Sequence, residues 1–296
     1  MTSRVCDQAE ALRSLAAERS GRILAGKRDA SRQRNIDVGR NRPRVVVVTS
    51  GKGGVGKTNI AANLAVELAR RGLATAVLDA DLGLANVEVV LNCAAGRNLG
   101  DVLLHGCAIE EVWTNGPSGV RVMSAGSGVD WLANLTQNRR AHLIREALDA
   151  CRGIDILVVD TAPGISSDVT DFLQVADEIL IVTTCEPTAL TDTYALIKTA
   201  VTLGVGADFE LVVNTASERR SAERAACSID SVCRRFLGRP VPRWDWIPFD
   251  HRVPDAVARQ QPVVDLHPAS AMSGWVRRKA AETVNRAVSI RKAGSR

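Results

Sequence analysis

The chain has 296 residues, of which 46% are apolar, and a formal net charge of +5; this suits one α/β domain with appendages or two small domains. No run approaches the roughly 18–20 apolar residues that span a bilayer, and the polar N-terminus lacks the apolar stretch of a secretory leader, so a cytoplasmic location is expected. The seven cysteines are scattered with no C-x-x-C pair, which argues against a disulfide framework or a zinc site.

The positive charge is localised. Residues 1–43 hold ten Lys or Arg against five Asp or Glu, and the rest of the chain carries 28 of each sign. Such an arm suits an acidic partner, nucleic acid or a membrane surface, and equally a solvated tail. Within it, Asp7 to about Arg19 is expected to form a short helix, with Val5, Ala9, Leu12 and Ala16 on one face. The division expected is a helix in 1–20, a basic linker in 21–43, a nucleotide-binding domain in 44–290 and a tail in 291–296.

From Arg44 onward, strands and helices alternate, which predicts an α/β fold with a mostly parallel twisted sheet covered by helices on both faces. Strands are expected at Val45–Thr49, Thr75–Asp79, Ile154–Asp160, Glu178–Thr184, Glu210–Asn214 and Trp246–Pro248. Helices are expected at Thr58–Arg71, around Ile144–Cys151, around Leu190–Leu203, at Ser217–Leu237 (exposed, given its Arg and Glu density) and at Trp275–Ser289.

Between the first strand and the first helix lies Gly51-Lys52-Gly53-Gly54-Val55-Gly56-Lys57-Thr58, followed by Asn59. Strand, glycine loop and helix in that order are what a phosphate-binding P-loop requires. The glycines allow a tight turn that aims N–H groups at phosphate oxygens. Lys57 can reach the outer phosphates of ATP or ADP, and the Thr58 hydroxyl can ligate Mg²⁺. Two further strand ends carry carboxylates, Asp79 with Asp81 and Asp160, where ligands bind in open α/β sheets. Asp160, ending a buried strand beside a P-loop, suits holding Mg²⁺. Asn214 ends another strand with a side-chain amide able to pair with donor and acceptor on adenine. The four histidines form no motif, and phosphoryl transfer to a positioned water needs no Ser, Cys or His nucleophile.

The early lysine of G-K-G-G-V-G-K-T makes the loop resemble the deviant Walker A of the MinD/ParA family, a SIMIBI-type P-loop NTPase family. The resemblance spans about residues 44–290. It implies that Lys52 reaches across an ATP-dependent homodimer to the partner's phosphates. The segment D-A-D-L-G-L-A-N resembles the family's switch I, implying that Asp81 orients the attacking water and contributes to the Mg²⁺ shell. The segment D-T-A-P-G-I resembles switch II, implying that Gly164 senses the γ-phosphate through its N–H. The resemblance also implies a base-reading role for Asn214, with Pro248 in Ile247-Pro248-Phe249-Asp250 closing over the base.

Within the family, D-A-D-L-G-L-A-N and D-T-A-P-G-I-S look most like the FlhG (FleN) group of flagellar-number ATPases. Asp7-Gln8-Ala9-Glu10-Ala11-Leu12-Arg13 matches the D-Q-A-x-x-L-R motif with which that group stimulates the FlhF GTPase, implying partner binding by Asp7, Gln8, Leu12 and Arg13. Flagellar switch (C-ring) proteins or a transcriptional regulator are further partners the resemblance implies. The alternative is a ParA-type DNA-partitioning ATPase using the arginine-rich arm, with steep salt-dependent DNA affinity; the D-Q-A-E-A-L-R segment argues against it. An iron–sulfur carrier on the same fold would need paired cysteines. At the C-terminus, Trp275, Val276, Ala280, Val284 and Ala287 flanked by Arg277, Arg278, Lys279 and Arg286 fit either a membrane-surface helix or a helix closing the domain.

Overall fold

The computed structural model describes residues 42–81, 86–93, 96–124, 136–241 and 243–293, with side chains to residue 286. The expected helix at 7–19, its motif residues Asp7, Gln8, Leu12 and Arg13, and the linker to residue 41 lie outside the described residues, as do Leu82–Ala85 of the switch I segment.

The run Val45–Val48 contains no polar residue because both its faces are covered, as parallel strands in a doubly covered sheet require. It forms the centre of β1 (Arg44–Thr49). Val45 and Val47 pack into one core, Val46 and Val48 into the other. Among the described residues, seven more strands join it in one sheet: β2 (Thr75–Ala80), β3 (Trp113–Asn115), β4 (Arg121–Ser124), β5 (Ile156–Thr161), β6 (Glu178–Thr183), β7 (Asp208–Ala216) and β8 (Trp244–Pro248). Their order is β3-β4-β2-β5-β1-β6-β7-β8. Every pairing is parallel except β3 with β4. Chain order reverses at β1, which places a crevice at the C-terminal strand edge beside it; below, this is the upper edge.

Ten α-helices occur among the described residues. In chain order they are α1 (Lys57–Arg70), α2 (Val87–Leu91), α3 (Leu99–His105), α4 (Gln137–Asp149), α5 (Ser167–Val175), α6 (Pro187–Thr202), α7 (Arg219–Leu237), α8 (Arg252–Ala258), α9 (Val263–Leu266) and α10 (Ala271–Ala293). The buried side chains of α4 to α7 join one core, and those of α1, α2 and α10 join the other. None of the described helices is long and apolar enough to cross a membrane.

The expected strands all form, with ends moved by one or two residues; β7 runs longer, from Asp208. The antiparallel pair β3–β4 and the helices α2, α3, α5, α8 and α9 were not anticipated. Helix α7 is not exposed throughout: Ala222, Ala225, Ala226, Ile229 and Cys233 are buried, an apolar stripe of small residues spaced three and four apart.

The C-terminal helix resolves the alternative posed by its sequence. Trp275, Val276 and Ala280 are at most 1% exposed and sit in the core with α1. The flanking cations are engaged within the protein. Arg277 donates to the Pro268 carbonyl, Arg278 lies 3.6 Å from Asp245 and Arg286 lies 2.9 Å from Glu178. Lys279 is buried, bonded to Glu178 at 2.7 Å and Glu210 at 2.6 Å. Over residues 271–286 the membrane-surface expectation is therefore corrected. This face is core, because a continuous stripe of Trp, Val and Ala is better buried on α1 than left to water.

Candidate functional site

β1 delivers the chain to the upper edge at Thr49, and residues 51–56 turn it into α1. Two glycines here are required by space. A Cβ at Gly51 would lie 2.2–2.5 Å from backbone atoms of Asp192 and Thr193 in α6. A Cβ at Gly56, whose φ is +93°, would lie 2.5 Å from the Asn214 amide nitrogen. The loop is thus held between α6 and the end of β7, and a side chain at either glycine would force it open. It runs into the N-terminus of α1, where Gly56 offers no side-chain cap. Uncapped N–H groups and the helix dipole there favour an anion. Lys57, the first residue of α1, is 7% exposed.

Sheet register brings the carboxylates together. Asp160 of β5 pairs in register with Asp79 of β2 on one side and with Val48 of β1 on the other. Burial pushes the Asp160 carboxyl up to about 7; a hydrogen bond from Thr58 and the charge of Lys57 oppose this, and Asp79 and Asp81 reinforce it. Among the described residues, its buried Oδ1 has no hydrogen-bond partner. Asp79, fully buried, is likewise pushed up to about 6 by burial, despite accepting from the backbone N–H groups of Val87, Asp81 and Asn86. A hard cation with oxygen ligands fits this donor set. The orphaned Asp160 oxygen beside the Thr58 hydroxyl decides the fit to Mg²⁺, because a buried acceptor with no donor is costly unless something fills it. Thr58, Asp160 and Asp81 are the residues that would hold it.

The Lys52 side chain is 38% exposed and is bound within its own chain. Its Nζ donates to Glu186 Oε2 at 2.6 Å and to Thr188 Oγ1 at 3.0 Å, at the start of α6. Gly164, with φ +100°, donates its N–H to the Ser50 carbonyl at 2.8 Å. The amide that the resemblance assigned to phosphate sensing is therefore occupied by the P-loop's own flank, and would have to leave Ser50 to meet a phosphate.

A pocket opens beside the loop, lined by Gly54, Val55, Gly56, Asn59, Asn214, Thr215 and, across from them, Ile247 to Asp250 with Val253, Pro254 and Met272. Asn214 and Pro248 thus line one cavity. Asn214 donates through Nδ2 to the Val55 carbonyl at 2.8 Å, so one of its two N–H groups is spent on the loop. The other, together with Oδ1, remains to pair with a base. Thr215, with φ +53°, lies where the β7–β8 register shifts between Val213 and Ala216. Phe249, 64% exposed, stands at the rim. Asp250 is engaged within the protein: Arg252 holds its carboxyl well below the usual range, and it also accepts from the Ala271 N–H, tying the rim to α10.

Sequence reasoning missed Glu186, Thr188 and Met272. Glu186 lies just past the upper end of β6, and the strand-end rule that singled out Asp160 would also have found it.

Comparisons with known proteins agree with this fold. The family profile described as "ParA: NUBPL iron-transfer P-loop NTPase" matches residues 41–283. The chain is 40% identical over 229 residues to the antiactivator FleN of Pseudomonas aeruginosa, covering 77% of this chain and 82% of FleN. It is 36% identical over 153 residues to the flagellum site-determining protein YlxH of Helicobacter pylori, covering 52% of each. Among solved structures, the septum site-determining protein MinD of Pyrococcus horikoshii, complexed with Mg-ADP, superposes with a TM-score of 0.67 at 23% identity, covering 81% of this chain and 96% of that one.

Proposed function

This chain belongs to the ParA/MinD family of P-loop NTPases, and from that premise we propose that it is an Mg²⁺-dependent ATPase switch regulating the number or placement of bacterial flagella. The similarity to FleN over 77% of the chain supports the flagellar assignment, and YlxH points the same way.

In this reading, ATP lays its phosphates along Gly51–Thr58 and its base in the pocket of Asn214 and Pro248. The α1 N-terminus and Lys57 hold the phosphate charge. Asp81 orients a water for in-line attack on the γ-phosphorus, and ADP and phosphate leave. Mg²⁺, held through Thr58, Asp160 and Asp81, would offset charge on the phosphoryl oxygens. Water exclusion falls to the Phe249 rim on one side and, in an ATP-dependent dimer, to the second copy.

The single observation that carries the switch is the state of Lys52, tied to Glu186 and Thr188 and still partly exposed. A lysine held at the rim in one chain is available to act on a partner's phosphates once ATP brings two copies together, as an arginine finger does. Residues 1–20 would then dock on an FlhF-type GTPase through Asp7, Gln8, Leu12 and Arg13, with 21–43 as a leash. Its site of action would be cytoplasmic. Any contact with the inner membrane face or the cell pole would use residues other than the buried face of α10.

The test is GTP hydrolysis by an FlhF-type GTPase in the presence of the full chain and of its Gln8→Ala variant. Stimulation by the wild type that Gln8→Ala abolishes is the expected result. Absence of stimulation by the wild type would sink the GTPase-partner reading, and steep salt-dependent DNA binding would then favour a partitioning ATPase.

A further inference from the structure

We propose that Asp79 is a positioning residue: its carboxylate ties the Asp81 amide to the Asn86 and Val87 amides, a closure that fixes the water-orienting aspartate. The proposal rests on the hydrolytic reading above.

The two oxygens of Asp79 bind backbone amides on either side of residues 82–85. Oδ1 accepts from the Asp81 N–H at 3.1 Å. Oδ2 accepts from the Asn86 N–H at 2.7 Å and the Val87 N–H at 2.9 Å. Residues 81 and 86 are therefore tied to the same side chain, which is itself fully buried at the end of β2. Val87 opens α2 and Asn86 is its N-cap residue without a side-chain cap bond, so their amides are N–H groups the helix itself leaves unpaired. An aspartate from the preceding strand, seven and eight residues back, satisfies both of them.

The chemistry needs a carboxylate. It has two acceptor oxygens and no donor, whereas asparagine has one acceptor oxygen and an NH₂. The isosteric change Asp79→Asn would keep an acceptor for the amides on one side and turn a donor towards the donors on the other. Negative charge also suits the start of α2. Asp79 need not touch substrate for this. It acts through the backbone of Asp81, at a site where a displacement of about 1 Å costs up to about 100-fold in rate.

The experiment measures residue-resolved amide hydrogen exchange, and kcat and KM for ATP, on the full chain and on Asp79→Asn. The closure predicts that the Asn86 and Val87 amides are protected in the wild type. In Asp79→Asn they should exchange at least about tenfold faster, while Val77 and Leu78 within β2 keep their protection. Positioning predicts that kcat falls about 10- to 100-fold with KM within about twofold of wild type. Unchanged exchange at Asn86 and Val87 overturns the closure. Faster exchange with unchanged kcat overturns positioning and leaves a structural clamp. A wild type that does not hydrolyse ATP refutes the hydrolytic reading while the exchange data still decide the closure. Should Asp79→Asn fail to fold, the wild type decides: unprotected amides at Asn86 and Val87 overturn the closure, and protected ones support it.

Discussion

The two edges of the sheet treat buried charge in opposite ways. At the upper edge, Asp160 and Asp79 are buried side by side, and burial outweighs every group that could stabilise their charges, so both carboxyls are pushed up. At the lower edge, Glu178 is just as buried, yet its carboxyl lies below its ordinary 4.5. Burial opposes that outcome, and the attraction of Lys279, then Arg286 and Arg44, outweighs burial. One edge carries charge that its own residues do not neutralise, and the other completes its charges internally. A protein keeps uncompensated buried carboxylates where a ligand will compensate them. Finished ion pairs, by contrast, fasten elements together, here α10 to β6 and β7 and β1 to β6.

Substitutions on the two edges should therefore separate stability from turnover. The largest effect is expected from Lys279→Met, which leaves Glu178 and Glu210 buried with less compensation. Loss of one partner from a buried pair costs about 3–5 kcal/mol, visible as a lower midpoint in urea unfolding. The affinity of the folded fraction for ATP should not change. A Lys279→Met protein as stable as wild type would show that the lower edge is not the anchor.

Asp160→Asn should do the reverse. It removes a charge that burial penalises, so unfolding free energy at neutral pH should rise by about 1–2 kcal/mol. ATP hydrolysis should fall at least about 100-fold as a cation-holding oxygen is lost. Lower stability in this variant would mean that Asp160 is satisfied in the folded protein without a ligand, and the contrast between the edges would collapse.

A smaller effect follows from acidity. Because the folded-state value of Glu178 is depressed, its contribution is fully present above about pH 4.5 and is lost as pH falls through the depressed value. As pH falls below about 4.5, the wild type should lose more stability than Glu178→Gln, read as a steeper acid limb in urea unfolding. Parallel acid limbs for the two proteins would show that Lys279 and its neighbours do not stabilise the Glu178 charge.

The upper edge was largely legible in the sequence, and the lower edge was not. P-loop chemistry is written in consecutive residues, and the requirement for Gly51 and Gly56 is local even though the atoms they avoid belong to α6 and Asn214. Asp160 and Asn214 could be placed by the single rule that ligands collect at strand ends. Lys279 looked like a surface cation, because only sheet register brings Glu178 and Glu210 under it, the nearer of them 69 residues away in the chain. The same holds for Lys52 and Glu186, separated by 134 residues. The pair β3–β4 escaped notice because three- and four-residue strands are too short to set a period. The N-terminal motif stayed a reading of sequence alone, since it lies outside the described residues.

Lys52 sharpens the comparison because it is the charge at the upper edge that is neutralised, and only at the surface. Its pair with Glu186 has side-chain exposures of 38% and 64%, where ion pairs contribute about 0–1 kcal/mol. Lys52→Ala should therefore leave urea unfolding within about 0.5 kcal/mol of wild type, the smallest stability effect of the set. Its consequence should lie elsewhere: ATP-dependent self-association on size-exclusion chromatography should be lost, and hydrolysis should fall with it. If Lys52→Ala still dimerises with ATP and turns over normally, the lysine is a solvated loop charge, and the trans role is wrong. If it loses both while its stability stays unchanged, Lys52 is committed to a surface that one chain alone does not complete. That separation would be hard to obtain from a residue of the lower edge, where every charge removed is also a strut removed.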